Sequence, residues 1–558
     1  MQPYTPKPWK APRVAGGVMP LAAAAAEGPL GALIARKFLE DVGVAELRRL
    51  EIDAPPSTCH PVFAGVAPVP SAPADFATVP DVPASPAGPF ASARDFVAAY
   101  ASGRLRPTDV AERVLEASTA LDQRNPPMRV FIAQSAADVR AQAEASAARW
   151  RAGRPLGPLD GVPVAVKDEL DVRGYPTTVG TSFQGGAPAP ADAFVVARLR
   201  AAGAVLIGKA NMHEIGIGVS GINVHHGACR NPYHPEHMTG GSSSGSAAAV
   251  AAGLCPIAVG ADGGGSVRIP AAFCGVFGLK ATFGRVSETG AAPLCWSVAH
   301  VGPLAATAYD LALAYAVMAG ADPHDPNTLA APPVSLDGFD APDLRGLKVG
   351  VFEPWFNDAD AEVVHGCEAL VAHLGRRGAE IRKTVIPGLE LARTAHVITI
   401  VSEMAASQAR FLAEDSRRYS PEVRLSLALA AHLRATDRVQ AERYRTLMFR
   451  HFMAALAEVD VIVAPTTACT APRIPDDALE FGMSDIGLTD RVMRFAAISN
   501  LTGLPSLSVP AGYDLMGLPI GLQFIGKPWS EALLLRFARH AELGVDRQPA
   551  RVQRRLLD

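Results

Sequence analysis

The chain has 558 residues, 49% apolar and 19% charged, with 52 basic against 55 acidic side chains and a formal net charge of −3. That composition excludes a disordered chain and describes a folded enzyme-sized protein, with length for roughly two to four domains or one large α/β catalytic domain. No stretch concentrates Lys and Arg, which excludes a nucleic-acid partner, because phosphate recognition needs a dense basic surface. The 7 cysteines form no CxxC pair and their odd number rules out complete pairing within the chain, so a reducing compartment is expected.

At the N-terminus Lys7, Lys10 and Arg13 precede the run Met19-Pro-Leu-Ala-Ala-Ala-Ala-Ala. Pro20, Glu27 and Pro29 interrupt that run and no clean cleavage site follows, so it is read as part of the protein and not as a secretory signal. No apolar stretch reaches the roughly 20 residues of a spanning helix. The expected location is cytoplasmic or peripheral to a membrane. Residues 30–50 predict a helix with Leu30, Leu33, Ile34 and Phe38 at helical spacing. Packing of that stripe against the protein's own body is the default; covering a pocket, pairing two subunits or touching lipid are the alternatives. Proline and alanine crowd residues 54–90, which predicts an extended connector. The expected organisation is therefore an N-terminal helical arm over 1–53, the connector over 54–90 and a catalytic body over 91–558.

Pro107 followed by Thr108, Asp109 and Val110 opens an amphipathic helix. Short apolar runs then alternate with helical stretches, giving a strand over 162–166, a helix over 193–202 and a strand over 204–207. Further strands are predicted over 257–259, 347–352, 460–463 and 519–524. Such alternation predicts an α/β fold with a largely parallel or mixed sheet covered by helices.

The stretch 239–280 differs from the rest in carrying two glycine-serine clusters on either side of a helix and a strand. Gly240-Gly-Ser-Ser-Ser-Gly245 suits a tight loop feeding the N-terminus of the alanine-rich helix behind it. Asp262-Gly-Gly-Gly-Ser266 follows the strand directly; its glycines let backbone N–H groups converge on a small anion with a serine hydroxyl beside them. A phosphate-binding loop would need Gly-Lys-Ser/Thr, and a dinucleotide fingerprint G-x-G-x-x-G after a first strand; neither is present.

On these residues the chain resembles the amidase signature family. That family carries a cis-bonded serine in the first cluster, a nucleophilic serine in the second and a lysine at the end of an upstream strand. The corresponding positions here are Lys167 in Gly161-Val-Pro-Val-Ala-Val-Lys-Asp, then Ser242 after 75 residues and Ser266 after 24 more. The chain is similar in particular to the plant-type fatty acid amide hydrolases, through Gly208-Lys-Ala-Asn-Met-His-Glu, Thr239-Gly-Gly-Ser-Ser-Ser-Gly-Ser, Trp355-Phe-Asn-Asp, Met493-Arg-Phe and Gly517-Leu-Pro-Ile-Gly-Leu-Gln. The resemblance implies an α/β amidase signature fold, a central mixed sheet covered on both sides by helices, with the helical arm ahead of it.

Amide hydrolysis requires a strong nucleophile, an oxyanion site and a proton for the departing nitrogen. A lysine serves as base only when neutral, and burial among apolar neighbours such as Val164 and Val166 disfavours its charged form. Lys167 is therefore expected to draw a proton through Ser242 from Ser266, which attacks the carbonyl carbon, while backbone N–H groups of Gly263, Gly264, Gly265 and Ser266 hold the oxyanion. Asp262 and Arg268 are expected to brace the loop, and Ser243, Ser244 and Ser246 to cap or line the following helix. Lys209 and Lys280, the latter read as following a Gly-Leu turn, rank below Lys167 as bases.

His225, His226, His234 and His237 cluster in sequence, but no second histidine completes a zinc motif after His213-Glu214 and no G-x-S-x-G elbow surrounds Ser266. No metal and no cofactor is expected. For the substrate the plant-type resemblance implies a small-molecule amide with a long apolar acyl group and a small amine, and for the assembly a homodimer. Residues placed to line an acyl pocket are Gly216, Ile217, Gly218, Val219, Phe356, Met493 and Phe495. The alternatives are a broad amidase or carbamate hydrolase, and a glutaminase-type component of a tRNA-dependent amidotransferase.

Overall fold

Three consecutive hydrophobic side chains with no alternation, Val164, Ala165 and Val166, are each wholly buried, as a strand covered on both faces requires. They lie in the strand Pro163–Lys167 at the heart of an eleven-stranded sheet in a computed structural model that describes residues 4–57, 60–63, 78–80 and 88–558. Across that sheet the strands run Phe131–Ala133, Val205–Ala210, Pro163–Lys167, Ile257–Ala261, Val301–Ala305, Phe277–Lys280, Ser506–Tyr513, Pro519–Gly526, Val461–Pro465, Lys348–Val351 and Glu380–Lys383. Pairing is parallel around Pro163–Lys167 and again around Lys348–Val351, and antiparallel across the middle, so the sheet is mixed. Helices flank it, and one large core cluster extends from Phe90 to Leu557.

The predicted strands and helices at 107, 162, 193, 204, 257, 347, 460 and 519 are all present, with ends displaced by a few residues. Three differences have physical causes. The helix expected over 30–50 is broken into Gly31–Asp41 and Val44–Arg49, because Gly43 adopts a left-handed φ of 81° between them. Lys280 ends the strand Phe277–Lys280 and does not follow a turn. Ser506–Tyr513 sits inside the sheet despite Pro510, which a register shift between Pro510 and Gly512 accommodates. Most of the connector expected over 54–90 lies outside the described residues.

The alanine-rich helix Ser244–Ala251 is buried at all eight positions. A Cβ on Gly245 would fall 2.3 Å from the Val130 carbonyl oxygen and 2.4 Å from the Asn211 nitrogen, so only glycine allows this close an approach. The arm folds back on the body: Met19, Ala23, Ala26 and Ala35 share a cluster with Leu425 and Leu429 of the helix Pro421–Ala430, and Leu39, Val42, Val44 and Leu47 pack with Trp355 and Phe452. Full burial of the larger of these side chains, such as Met19, Val42 and Leu47, contributes roughly 1.5–3 kcal/mol each.

Candidate active site

Parallel neighbours Pro163–Lys167 and Ile257–Ala261 end side by side, and the two glycine-serine clusters lie at that edge. Lys167 is 1% exposed; its Nζ donates to Ser242 Oγ at 2.8 Å and to the Ala261 carbonyl at 3.1 Å. A carboxylate oxygen, Glu169 Oε2, stands 2.6 Å from the same nitrogen, so the surroundings of this lysine are not apolar alone. The Gly241–Ser242 peptide bond is cis. Ser243 joins the clusters: its Oγ donates to the Ala261 carbonyl at 3.1 Å, accepts from the Ala261 N–H at 3.2 Å, and its own N–H donates to the Ser266 carbonyl at 3.2 Å.

Ser243 stands at the N-cap position without a side-chain cap, and Ser244 and Ser246 line the first turns of the helix. All three bond across to Ala261, Asn211 and Val259, because a helix buried all round has strand carbonyls closer to hand than solvent.

The loop 262–266 is held by a buried network. Asp262 accepts from Arg268 Nε at 3.0 Å, Arg268 Nη2 at 3.1 Å and Asn500 Nδ2 at 2.9 Å, and Arg268 donates onward to Gln523 and the Ala496 carbonyl. Burial by itself would raise the Asp262 carboxyl, but the Arg268 charge and the Arg268 and Asn500 hydrogen bonds outweigh it and hold the group well below the ordinary carboxylate range. Asp262 also takes the N–H of Gly265 at 2.6 Å, which corrects the expected oxyanion set. Among the described residues, the N–H groups of Gly263, Gly264 and Ser266 donate to no protein acceptor and remain for an oxyanion. From the opposite side His396 Nε2 lies 2.7 Å from the Gly263 carbonyl; burial first, with Arg393 and Arg445 adding to it, lowers this imidazole to about 4.

The competing lysines are placed elsewhere. Lys209 lies directly across from Val166, hence on the opposite face of the sheet from Lys167, where it meets Asp168 at 3.1 Å and the Leu170 carbonyl at 2.7 Å. Lys280 is buried, its amine lowered well below the ordinary range by burial and by Arg268, and it donates to the Ala281 carbonyl. The four histidines go separate ways: His225 pairs with Glu214 and His226 with the Thr181 carbonyl, while the rings of His234 and His237 meet edge to face.

Ser266 and Gly264 border a cavity of about 160 Å³ whose walls include Gly216, Ile217, Gly218, Val219 and Met493. Phe356 and Phe495 are not among its walls: Phe356 is packed in the main core and Phe495 lies against Trp355, ring centroids 5.4 Å apart. The arm supplies what these two do not, through Trp9, Phe38, Leu39, Val42 and Val44. A larger concavity of about 850 Å³, between Phe90 and the C-terminal Leu556, contains none of these residues.

A buried lysine, two serine clusters and an N–H-lined loop at one edge of a mixed sheet supply the groups that a hydrolase of acyl bonds needs. The Amidase family model matches residues 112–535, and the chain belongs to that family, the amidase signature enzymes, which hydrolyse amide C–N bonds. It is 44% identical to a fatty acid amide hydrolase of Medicago truncatula over 80% of this chain and 75% of that protein. It is also 41% identical to a fatty acid amide hydrolase of Arabidopsis thaliana, over 80% and 75%. Among solved structures, native peptide amidase from Stenotrophomonas maltophilia superposes with a TM-score of 0.71 at 30% identity, covering 82% of this chain and 98% of that one.

Proposed function

We propose that the chain hydrolyses fatty acid amides of the N-acylethanolamine type through an acyl-enzyme on Ser266. The observation that carries this reading is the opening of Ser266 onto a cavity walled by the arm's apolar side chains, with the Lys167–Ser242 hydrogen bond tied to Ser266 through the Ser243 N–H on its carbonyl. In the proposed first step neutral Lys167 takes the Ser242 hydroxyl proton as Ser242 takes that of Ser266, and Ser266 Oγ bonds to the carbonyl carbon. The oxyanion is held by the N–H groups of Gly263, Gly264 and Ser266, each important donor contributing about 3 to 4 kcal/mol. The C–N bond then breaks, the amine leaves with the relayed proton, and water cleaves the ester by the same relay. A lipid-surface contact is read from the outer face of the arm, where Val18, Leu21, Leu30 and Leu33 are 56–70% exposed. A homodimer, implied by the plant-type resemblance, is proposed beside it; vesicle flotation and light scattering check the two.

A fluorophosphonate probe is expected to label Ser266, and Ser266→Ala to abolish labelling and turnover. Attachment to any other residue overturns the mechanism. A hydrolysis panel of N-acylethanolamines, short primary amides, aryl amides and glutamine tests the substrate; preference for short primary amides or glutamine would overturn the lipid reading while leaving an amidase.

A further inference from the structure

Lys167, Asp168 and Glu169 carry the alternation of the strand past its end. Asp168 turns to the face where Lys209 lies, 3.1 Å away, and Glu169 to the face of Lys167, where Oε2 and Nζ are 2.6 Å apart. The three acceptors around Lys167 Nζ, Ser242 Oγ, the Ala261 carbonyl and Glu169 Oε2, match the three protons of an ammonium one for one. Glu169 is itself 6% exposed, so water does little to screen the pair.

Among the described residues, the titratable groups Cys295 and Glu288 feel the Glu169 charge. Burial, reinforced by Glu169 and Glu403, pushes the Cys295 thiol well above its ordinary range. Burial, reinforced by Asp325, Glu169 and Glu403, does the same to the Glu288 carboxyl. Both are held in their neutral forms, so neither sets a second charge beside the Glu169–Lys167 contact.

We propose that Glu169 is a positioning residue that extends the relay to Glu-Lys-Ser-Ser, its carboxylate stabilising the Lys167 ammonium formed when Ser266 is activated. The inference rests on the Ser266 mechanism proposed above. The protons balance: the Ser266 proton goes to Ser242 and the Ser242 proton to Lys167. When the C–N bond breaks Ser242 passes one proton to the departing amine and recovers one from Lys167, and Ser266 regains its own when water cleaves the ester. Glu169 stays a carboxylate throughout and forms no covalent bond. An Asp in a Ser-His-Asp triad stabilises an imidazolium without taking its proton by the same logic.

The test is the pH profile of kcat/KM, together with the rate constant for fluorophosphonate labelling, which does not depend on the fraction of enzyme folded. Glu169→Gln removes the charge that favours the ammonium. Neutral lysine then persists to lower pH, and the acid limb of both profiles is expected to move down by about one pH unit or more. The plateau is expected to fall about tenfold or more, since the ammonium of the transition state loses its partner. Glu169→Asp keeps the charge and is expected to leave the acid limb near that of the parent. An E169Q profile lowered uniformly with its acid limb unmoved, while the probe still labels Ser266, overturns the role of Glu169 and leaves the serine mechanism standing. Labelling elsewhere overturns the serine mechanism first.

Discussion

Gly264 has no side chain, and the space beside it is already filled. A Cβ there would stand 2.6 Å from Met493 Cε and 2.8 Å from His396 Cε1, closer than real methyl contacts. His396 cannot move without releasing the Gly263 carbonyl, so the strain must go into the loop whose N–H groups face Ser266. Gly264→Ala is therefore expected to lower kcat/KM by about a hundredfold, as loss of one oxyanion donor does, with the melting temperature close to that of the parent. Steady-state kinetics beside a thermal melt checks it; full activity would show that the loop tolerates displacement. Lys167, Ser242 and Ser266 were legible because their spacing and glycine context are local features. Glu169 was not singled out, although its two-residue spacing from Lys167 was a readable signal. His396 carried no signal at all, being an ordinary polar residue 130 positions beyond Ser266.

The helix Ala392–Asp415 places that histidine, and through it the loop becomes sensitive to pH. The His396 imidazole is lowered to about 4 by burial, whereas an unfolded chain takes up the proton near 6.5. Stability from this group is present above about pH 6.5 and is lost as pH falls through that value toward 4, on the order of 3 kcal/mol in all. His396→Gln keeps an N–H donor for the Gly263 carbonyl and does not titrate. Urea denaturation between about pH 4 and 7 is expected to show a flatter stability profile for this variant than for the parent; equal slopes would refute the assignment. Six strands of the eleven-stranded sheet announced themselves by apolar runs, but Phe131–Ala133, Phe277–Lys280, Val301–Ala305, Glu380–Lys383 and Ser506–Tyr513 did not, being short, proline-containing or, for Glu380–Lys383, largely charged and exposed. Their strand character comes from sheet partners far away in sequence, a context that local pattern does not carry.

The arm joins the body to the cavity beside Ser266. Of the stripe expected to pack on the body, Ile34 and Phe38 do so while Leu30 and Leu33 stay exposed; the arm is held instead by Met19 and Ala23, fully buried against the helix Pro421–Ala430, and Phe38, Leu39 and Val42 line the space beside Ser266. If that space takes the acyl chain, Phe38→Ala changes the wall without touching Lys167, Ser242 or Ser266. Its kcat/KM is expected to shift about tenfold for long-chain N-acylethanolamines and to stay within about twofold for a short acyl amide. Parallel changes for both would mean that the arm acts on stability and not on substrate choice.

The sequence by itself determined the α/β class, the family and the three residues of the proposed relay, because each is written in local periodicity or in a loop whose glycines and serines have few other uses. Only the tertiary structure decided which groups surround them: Glu169 beside Lys167, Asp262 taking the Gly265 N–H, His396 beneath Gly263, and the arm in place of Phe356 and Phe495 along the cavity. Those neighbours depend on which sheet face and which distant helix the chain brings to one edge. For His396 and the arm such a choice is made by the burial of the whole core, and no short stretch of sequence contains it. Glu169 and Asp262, by contrast, lie within three residues of Lys167 and Gly265, and only the local backbone path decided their contacts.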